Sequence, residues 1–214
     1  MQAPHGAPEI EIKLRLASAA DGRTKLATAG FLERSPRCLE SNTIYDDDRQ
    51  SLRQRGELVR VRHYGEQVLL TFKGRGGEVA GSVAGSLHKH RPEMETVVAH
   101  GAPLVAVLQA AGLRPVLRYE KYRTVFARPD EPGLALLDET PIGPFLELEG
   151  PPEWIDRCAA AMGFHVADYL TQSYLSLNQE DCLKRGVAVS DMVFRQGEEG
   201  DREGRPEAAG EDGQ

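Results

Sequence analysis

The stretch EIEIK, from Glu9 to Lys13, places three ionisable side chains on alternate positions, and this pattern constrains the fold more than any other part of the chain. In a β-strand, residues two apart share a face, so Glu9, Glu11 and Lys13 project one way while Ile10, Ile12 and Leu14 project the other. The layout recurs with Arg60 and Arg62 against Val59 and Val61, with Glu147 and Glu149 against Leu146 and Leu148, and with Lys121 and Arg123 flanking Tyr122. A half-exposed antiparallel sheet, with its charges in water, would explain any one of these strands. It explains the set poorly. A solvated face would mix Lys, Glu, Thr and Ser freely, whereas Arg-x-Arg and Glu-x-Glu put like charges side by side, where they repel unless something compensates them.

Strand-like alternation covers Glu9 to Leu16, Arg37 to Asp46, Leu58 to Tyr64, Gln67 to Arg75, Glu93 to His100, Val116 to Ala127, Leu134 to Glu139 and Phe145 to Gly150. Helical segments are predicted over Ser18 to Ala29, Pro103 to Ala111, Glu153 to Met162 and Tyr169 to Arg185. Three of the helices end alike, in LATAGF, LQAAGL and AAAMGF, with a glycine where a left-handed C-terminal cap is wanted. Before each of these helices stands a Glu-x-Glu pair: Glu9/Glu11, Glu93/Glu95 and Glu147/Glu149.

About eight strands can close into a barrel that holds one small ligand, with helices outside. The predicted fold is therefore α+β, a closed eight-stranded antiparallel barrel with its apolar face outward and its charged face lining the lumen. Such a lumen costs several kcal/mol per unpaired ion. It is tolerable if the carboxylates bind hard cations and the Arg and Lys side chains bind an anion with several oxygens. A triphosphate complexed with Mg²⁺ or Mn²⁺ meets both demands.

With these residues in view, the chain resembles the CYTH family, the triphosphate tunnel metalloenzymes that include class IV adenylyl cyclases, thiamine triphosphatases and inorganic triphosphatases. The opening EIEIK looks like its ExExK signature. The resemblance continues in family order through TIYDD (Tyr45), LVRVR (Arg60, Arg62), LLTFKG (Lys73), RPEMET (Arg91, Glu93, Glu95), EKYRTVF (Lys121, Arg123), LALLDETPIGPFLELEG (Asp138, Glu147, Glu149) and QSYLSL (Tyr174). It implies that Glu9, Glu11, Asp138, Glu147 and Glu149 hold the metal ions, with Glu93 and Glu95 as further acidic wall residues. It also implies that Lys13, Arg60, Arg62, Lys73, Lys121 and Arg123 grip the phosphates, and that Glu9, Glu11, Lys13 and Asp138 form the catalytic group. Arg91 and Tyr45 are additional candidates. The implied substrate is ATP, tripolyphosphate or thiamine triphosphate. Conversion of ATP to cyclic AMP and pyrophosphate is the leading reaction, hydrolysis of the terminal phosphate is the alternative, and a noncatalytic polyphosphate- or nucleotide-binding module comes third.

Several features bound this reading. Gly74 to His90 is long and glycine-rich, expected as a flexible hairpin loop rather than a lid, and it lacks the spacing of a phosphate-binding P-loop. Pro92 interrupts its strand, which predicts an edge or bulge and leaves the inward direction of Arg91 open. His63, His88 and His90 are read as loop or surface residues, and Trp154 as a core residue. Cys38, Cys158 and Cys182 lack metal-ligand spacing and are odd in number, which suits free thiols in a cytoplasmic protein. The start MQAPHGAPEI has no basic flank or apolar stretch of a secretory signal, and no apolar run is long enough for a bilayer.

The net charge of −7 comes largely from the end, so the body gives little reason to expect nucleic acid. The expected organisation is a flexible N-terminus over 1–7, one tunnel domain over 8–185, and a mostly disordered acidic tail over 186–214. A homodimer through the barrel rims or the last helix is compatible with the residues but not required by them.

Overall fold

The computed structural model describes residues 8–75 and 88–195. The expected N-terminal extension 1–7, most of the glycine-rich segment and the acidic stretch beyond 195 lie outside the described residues. The strands are β1 (Pro8–Arg15), β2 (Leu32–Asp46), β3 (Leu58–Tyr64), β4 (Gln67–Lys73), β5 (Lys89–Val98), β6 (Arg114–Ala127), β7 (Leu134–Thr140) and β8 (Gly143–Glu149). They form one curled antiparallel sheet of eight strands whose hydrogen-bonded order, β1-β5-β4-β3-β2-β6-β7-β8, returns to β1. The strand β1 is shared: its first half pairs with β5, from Pro8↔Pro92 to Glu11↔Lys89, and its second half with β8, from Glu11↔Glu149 to Arg15↔Phe145.

The apolar face of the charged strands does point outward. Ile12, Leu14, Leu146, Leu148, Ala135 and Leu137 leave the outer face of β1, β8 and β7 and pack with Leu26, Trp154, Ile155, Cys158 and Met162. These last come from α1 (Ala19–Thr28), α4 (Pro152–Ala161) and the residue that ends it. The main hydrophobic core therefore lies outside the sheet, between strands and helices. Each fully buried Leu or Ile there contributes about 1.5–3 kcal/mol. Trp154 is 1 % exposed, as a core residue should be, and its ring lies so close to Gly133 that a Cβ there would stand 2.4 Å from it.

The three glycine stops behave as the sequence suggested. Gly30, Gly112 and Gly163 take φ of 79°, 85° and 82°, and the residue after each returns a backbone bond five residues back: Phe31 to Leu26, Leu113 to Leu108 and Phe164 to Ala159. A side chain with a Cβ is disfavoured in that conformation, which is why glycine marks the stop. The second of these helices is α3 (Gly101–Ala110), which buries none of its residues.

Two expectations are corrected, and one element is new. Strand β5 runs unbroken through Pro92, because the Pro92 carbonyl still accepts from Gly74 N–H and the missing donor falls where the β1 pairing ends. The last helix, α5, covers Tyr174–Lys184 rather than starting at Tyr169, since Ser173 caps it by accepting from Ser176 N–H. A short helix, α2 (Ser51–Gln54), was not anticipated; the Asp46 carboxylate holds it by accepting from Leu52 and Arg53 N–H at 3.0 Å each.

The chain after α5 also departs from the expected boundary at 185. Residues 191–194 lie along β6: Met192 exchanges backbone bonds with Arg118 and Glu120, Asp191 accepts from Arg118 N–H, and Glu120 accepts from Phe194 N–H. Met192 is buried with Tyr119, Tyr174 and Leu177, so an apolar anchor holds this segment in place. Among the described residues, no helix is long and apolar enough to cross a membrane.

Candidate functional site

The charged face turns inward, and strand register decides which charges meet. Lys13 stands opposite Glu147 across β1 and β8, Arg123 opposite Asp138 across β6 and β7, Lys121 opposite Glu40 across β2 and β6, and Lys73 opposite Glu93 across β4 and β5. Several of the like charges that alternate along a strand are thus neutralised by the neighbouring strand, whereas Glu11 stands opposite Glu149. Cross-strand neighbours sit close enough for such pairing to matter. This refines the sequence argument: the protein itself compensates much of the lumen's charge, with no ligand needed for that part.

Four clusters result. Carboxylate oxygens of Glu11, Glu147 and Glu149 lie within 4.8 Å of one another. The Lys13 ammonium rests on two of these groups, 3.0 Å from Glu11 Oε1 and 3.0 Å from Glu147 Oε1. Asp138, fully buried, accepts from Lys121 Nζ at 2.8 Å, from Arg123 Nε and Nη2 at 2.7 Å each, and from the Tyr174 hydroxyl at 2.7 Å. Arg123 also donates to Glu147.

Around Glu40, the Asn42 amide donates at 2.9 Å, with Arg62 Nε at 3.5 Å and Lys121 Nζ at 3.6 Å. Arg60 donates to the Tyr119 hydroxyl at 3.1 Å and to Thr71 at 3.2 Å, and lies 3.4 Å from Glu93 and 3.5 Å from Glu95. Lys73 Nζ meets Glu93 at 2.7 Å. The Arg60 Nε–H is buried and makes no hydrogen bond within the described structure, leaving one donor over for another acceptor.

Electrostatics keeps these groups charged. Burial alone would lift the Glu40 and Glu147 carboxyls. Lys121, Arg62, Arg123 and Arg60 around the first, and Lys13, Lys121 and Arg123 around the second, more than reverse this and hold both well below the usual carboxylate range. Burial would likewise pull the Lys13 ammonium down, but Glu11 and Glu147 outweigh it and raise its pKa. Burial, reinforced by Asp138 and Glu147, pushes the Tyr174 hydroxyl far up, so it stays a donor.

The clusters open onto one cavity of about 430 Å³. Eight basic side chains line it (Lys13, Arg53, Arg60, Arg62, Lys73, Arg91, Lys121, Arg123) against five acidic ones (Glu11, Asp46, Glu57, Glu147, Glu149). Basic side chains outnumber acidic ones on the cavity wall itself, with Glu40, Asp138, Glu93 and Glu95 paired behind them, so the wall offers a polyanion many donors. The wall also includes Ile44, Leu58, Val116, Leu117, Leu175 and Val189 with Tyr45, Tyr119 and Tyr174, and of these Ile44, Leu58, Leu117 and Leu175 pack in one cluster with Tyr119 and Tyr174.

The structure brings together Glu11, Lys13, Arg60, Arg62, Lys73, Lys121, Arg123, Glu147 and Glu149 on this cavity, with Arg91 and Tyr45 also in its wall. Arg91 faces inward despite Pro92, and its guanidinium donates to the Gly56 carbonyl at 2.8 Å and to those of Gly74 and Lys73. Glu93 and Glu95 belong to the basic side of the site, paired with Lys73 and Arg60. The Glu9 side chain lies outside the described part of the structure, as does that of His90. His63 is exposed, and His88 bonds Asp156 at 2.9 Å.

Asp138 stands apart from the three-carboxylate group, its oxygens accepting from Lys121, Arg123 and Tyr174. Sequence reading missed Glu40, Asn42, Thr71 and Tyr119. The signal for Glu40 and Asn42 was the same two-residue spacing in CLESNTIYD, diluted by Ser41 and Thr43, which could occupy either face.

Three carboxylates within reach of one another, with an ammonium already seated on two of them, are a hard-oxygen donor set that fits a divalent cation. Glu11, Glu147 and Glu149 are the residues that could hold such an ion.

Comparison with known proteins follows the same lines. The CYTH domain family model matches residues 7–156. No curated protein matches the chain in sequence. Among solved structures, a candidate adenylate cyclase from Vibrio parahaemolyticus superposes with a TM-score of 0.65 at 18% identity, covering 84% of this chain and 99% of its own. A protein from Pyrococcus horikoshii gives 0.63 at 20% identity, covering 81% and 99%. A candidate adenylyl cyclase from Hippeastrum with a dominant triphosphatase activity gives 0.56 at 17% identity, covering 84% and 97%. At these identities the likeness concerns the fold.

Proposed function

This chain belongs to the CYTH domain family, and from that premise we propose that it is a divalent-metal-dependent enzyme acting on a nucleoside triphosphate held in a closed tunnel. The observation that carries this reading is the convergence of basic side chains on the cavity wall beside a separate three-carboxylate corner. In this reading Arg60, Arg62, Lys73, Lys121 and Arg123 hold the phosphate chain, with the planar forks of the arginines matching phosphate oxygens. Glu11, Glu147 and Glu149 hold Mg²⁺ or Mn²⁺, with Glu9 as a further ligand. A bound ion supplies neutralisation of phosphate charge and Lewis-acid activation. Asp138 acts as a positioning residue that aims Lys121 and Arg123, and Glu40 does the same for Arg62 and Lys121.

Both candidate reactions need the triphosphate held in line while charge develops on the leaving group. They differ in what lies past the α-phosphate. The apolar lining residues Ile44, Leu58, Val116, Leu117, Leu175 and Val189 offer room for a base, which an inorganic tripolyphosphatase would not need, and so support an organic triphosphate, for which cyclisation of ATP to cyclic AMP and pyrophosphate is the leading reading. Hydrolysis of the terminal phosphate of an organic triphosphate is the second reading, since the same wall would accommodate it. The three cysteines are free, which suits work in a reducing cytoplasm.

The test is product analysis by ³¹P NMR and chromatography, using ATP and tripolyphosphate with Mg²⁺ or Mn²⁺. Cyclic AMP with pyrophosphate supports the cyclase, and orthophosphate from ATP supports the second reading. Turnover of tripolyphosphate with ATP untouched would refute an organic substrate, and metal-dependent binding without turnover would make the protein a binding module.

A further inference from the structure

The position of Lys13 has a consequence for how the metal arrives. Its ammonium sits 3.0 Å from both Glu11 Oε1 and Glu147 Oε1, two of the three carboxylates in the acidic corner, and 5.3 Å above the Tyr174 ring. The side chain is almost wholly buried, and its neighbours keep it protonated. Its backbone is fixed on both sides, by register with Glu147 and by paired bonds with Leu170. Only the side chain can move, and the space open to it is the cavity.

We propose that Lys13 is the resident cation of the acidic corner, which a divalent metal ion displaces, and that the released ammonium turns into the cavity to meet the phosphate chain. This rests on the functional reading above and extends it to the order of events. An ion held by Glu11 and Glu147 through the oxygens that Lys13 occupies would share them with an ammonium at contact range, where like charges repel strongly in a buried site. A triphosphate gives the displaced ammonium new acceptors. Metal and triphosphate therefore favour each other's binding, and the coupling is reciprocal. Without polyanion, Lys13 lowers the affinity of the corner for metal and keeps three crowded carboxylates neutralised.

The experiment compares wild type with Lys13→Met, a neutral side chain of similar length, by calorimetric titration of Mn²⁺ in the absence of nucleotide. The expected result is binding tighter by about tenfold or more in the variant. The gap should narrow when a nonhydrolysable ATP analogue is present, because only the wild type gains a phosphate contact. Equal or weaker Mn²⁺ binding by a folded variant overturns the proposal while leaving the metal-dependent function standing. Absence of Mn²⁺ binding in both proteins, with and without analogue, overturns the proposal and that function together.

Should the variant fail to fold, the wild type gives the same answer through its lysine ¹⁵Nζ spectrum. A buried, ion-paired ammonium gives a slowly exchanging signal, assignable with a folded Lys13→Arg protein. Saturating Mg²⁺ should shift or abolish that signal, whereas a signal unchanged at saturation shows that metal and ammonium coexist.

Discussion

Replacing Asp138 with asparagine separates the structural account of this residue from a metal-ligand account, because the two predict opposite signs. The Asp138 carboxylate is fully buried and accepts four hydrogen bonds, from Lys121, Arg123 twice and Tyr174, at 2.7–2.8 Å. Asparagine keeps the volume, removes the charge and turns one acceptor into a donor that faces other donors. Breaking one side of a buried ion pair costs about 3–5 kcal/mol. Arg123 and Lys121 retain Glu147, at 4.0 Å in the case of Lys121, which puts the expected loss at the low end, about 3 kcal/mol. For a chain of this size that corresponds to a drop in Tm of about 6–12 °C. The assay is thermal and urea unfolding without metal or nucleotide. A metal ligand awaiting its ion would instead be relieved of repulsion, so an Asp138→Asn protein as stable as wild type, or more so, refutes the reasoning.

The acidic corner should behave in the opposite way. Glu149→Gln thins a group of three crowded carboxylates, so unfolding should show stability within about 1 kcal/mol of wild type or above it, with metal-dependent turnover lost; retained turnover removes Glu149 from the site. Stability should depend on pH at both ends. The lowered carboxyls of Glu40 and Glu147 contribute fully above the ordinary carboxylate pKa of about 4.3 and lose that contribution as pH falls below it, while the raised Lys13 contributes fully below about 10.4 and loses it above. A Tm at pH 3 equal to that at pH 6 would contradict this.

Arg60→Lys removes the fork that reaches Tyr119, Thr71 and the two glutamates and should weaken triphosphate binding by about tenfold, measured by calorimetry; an unchanged affinity counts against a phosphate role. Truncation after Arg195 should leave Tm and activity intact, whereas truncation after Gly186 removes Met192 and the bonds to β6 and should lower Tm by several degrees. Equal Tm values for the two truncations would show that the 191–194 segment contributes nothing.

How much of this was legible in the sequence depends on which physical rule governs each residue. Period-two alternation is a local property, so the inward charges of β1, β3, β6 and β8 and the outward Ile12, Leu14, Leu146 and Leu148 could be read directly. The glycine stops could be read for the same reason, since a left-handed cap needs no distant partner. Cross-strand register is nonlocal. Nothing in the neighbourhood of Asp138 announces that Arg123 stands opposite it, so the ion pair between them could not be read. Glu40 was lost among Ser, Asn and Thr, which report weakly on which face is buried. The 191–194 segment was grouped with the acidic tail although Met192, Val193 and Phe194 are apolar, because its anchoring comes from β6, far away in sequence.

The central claim is that separate acidic and basic clusters converge in one cavity to hold a metal ion and a triphosphate together. Calorimetric titration of a nonhydrolysable ATP analogue into the wild-type protein, once with Mg²⁺ and once with chelator, tests it most directly. The account predicts saturable binding at one site that is strengthened by Mg²⁺. Binding that is absent in both conditions, or indifferent to the metal, would contradict it.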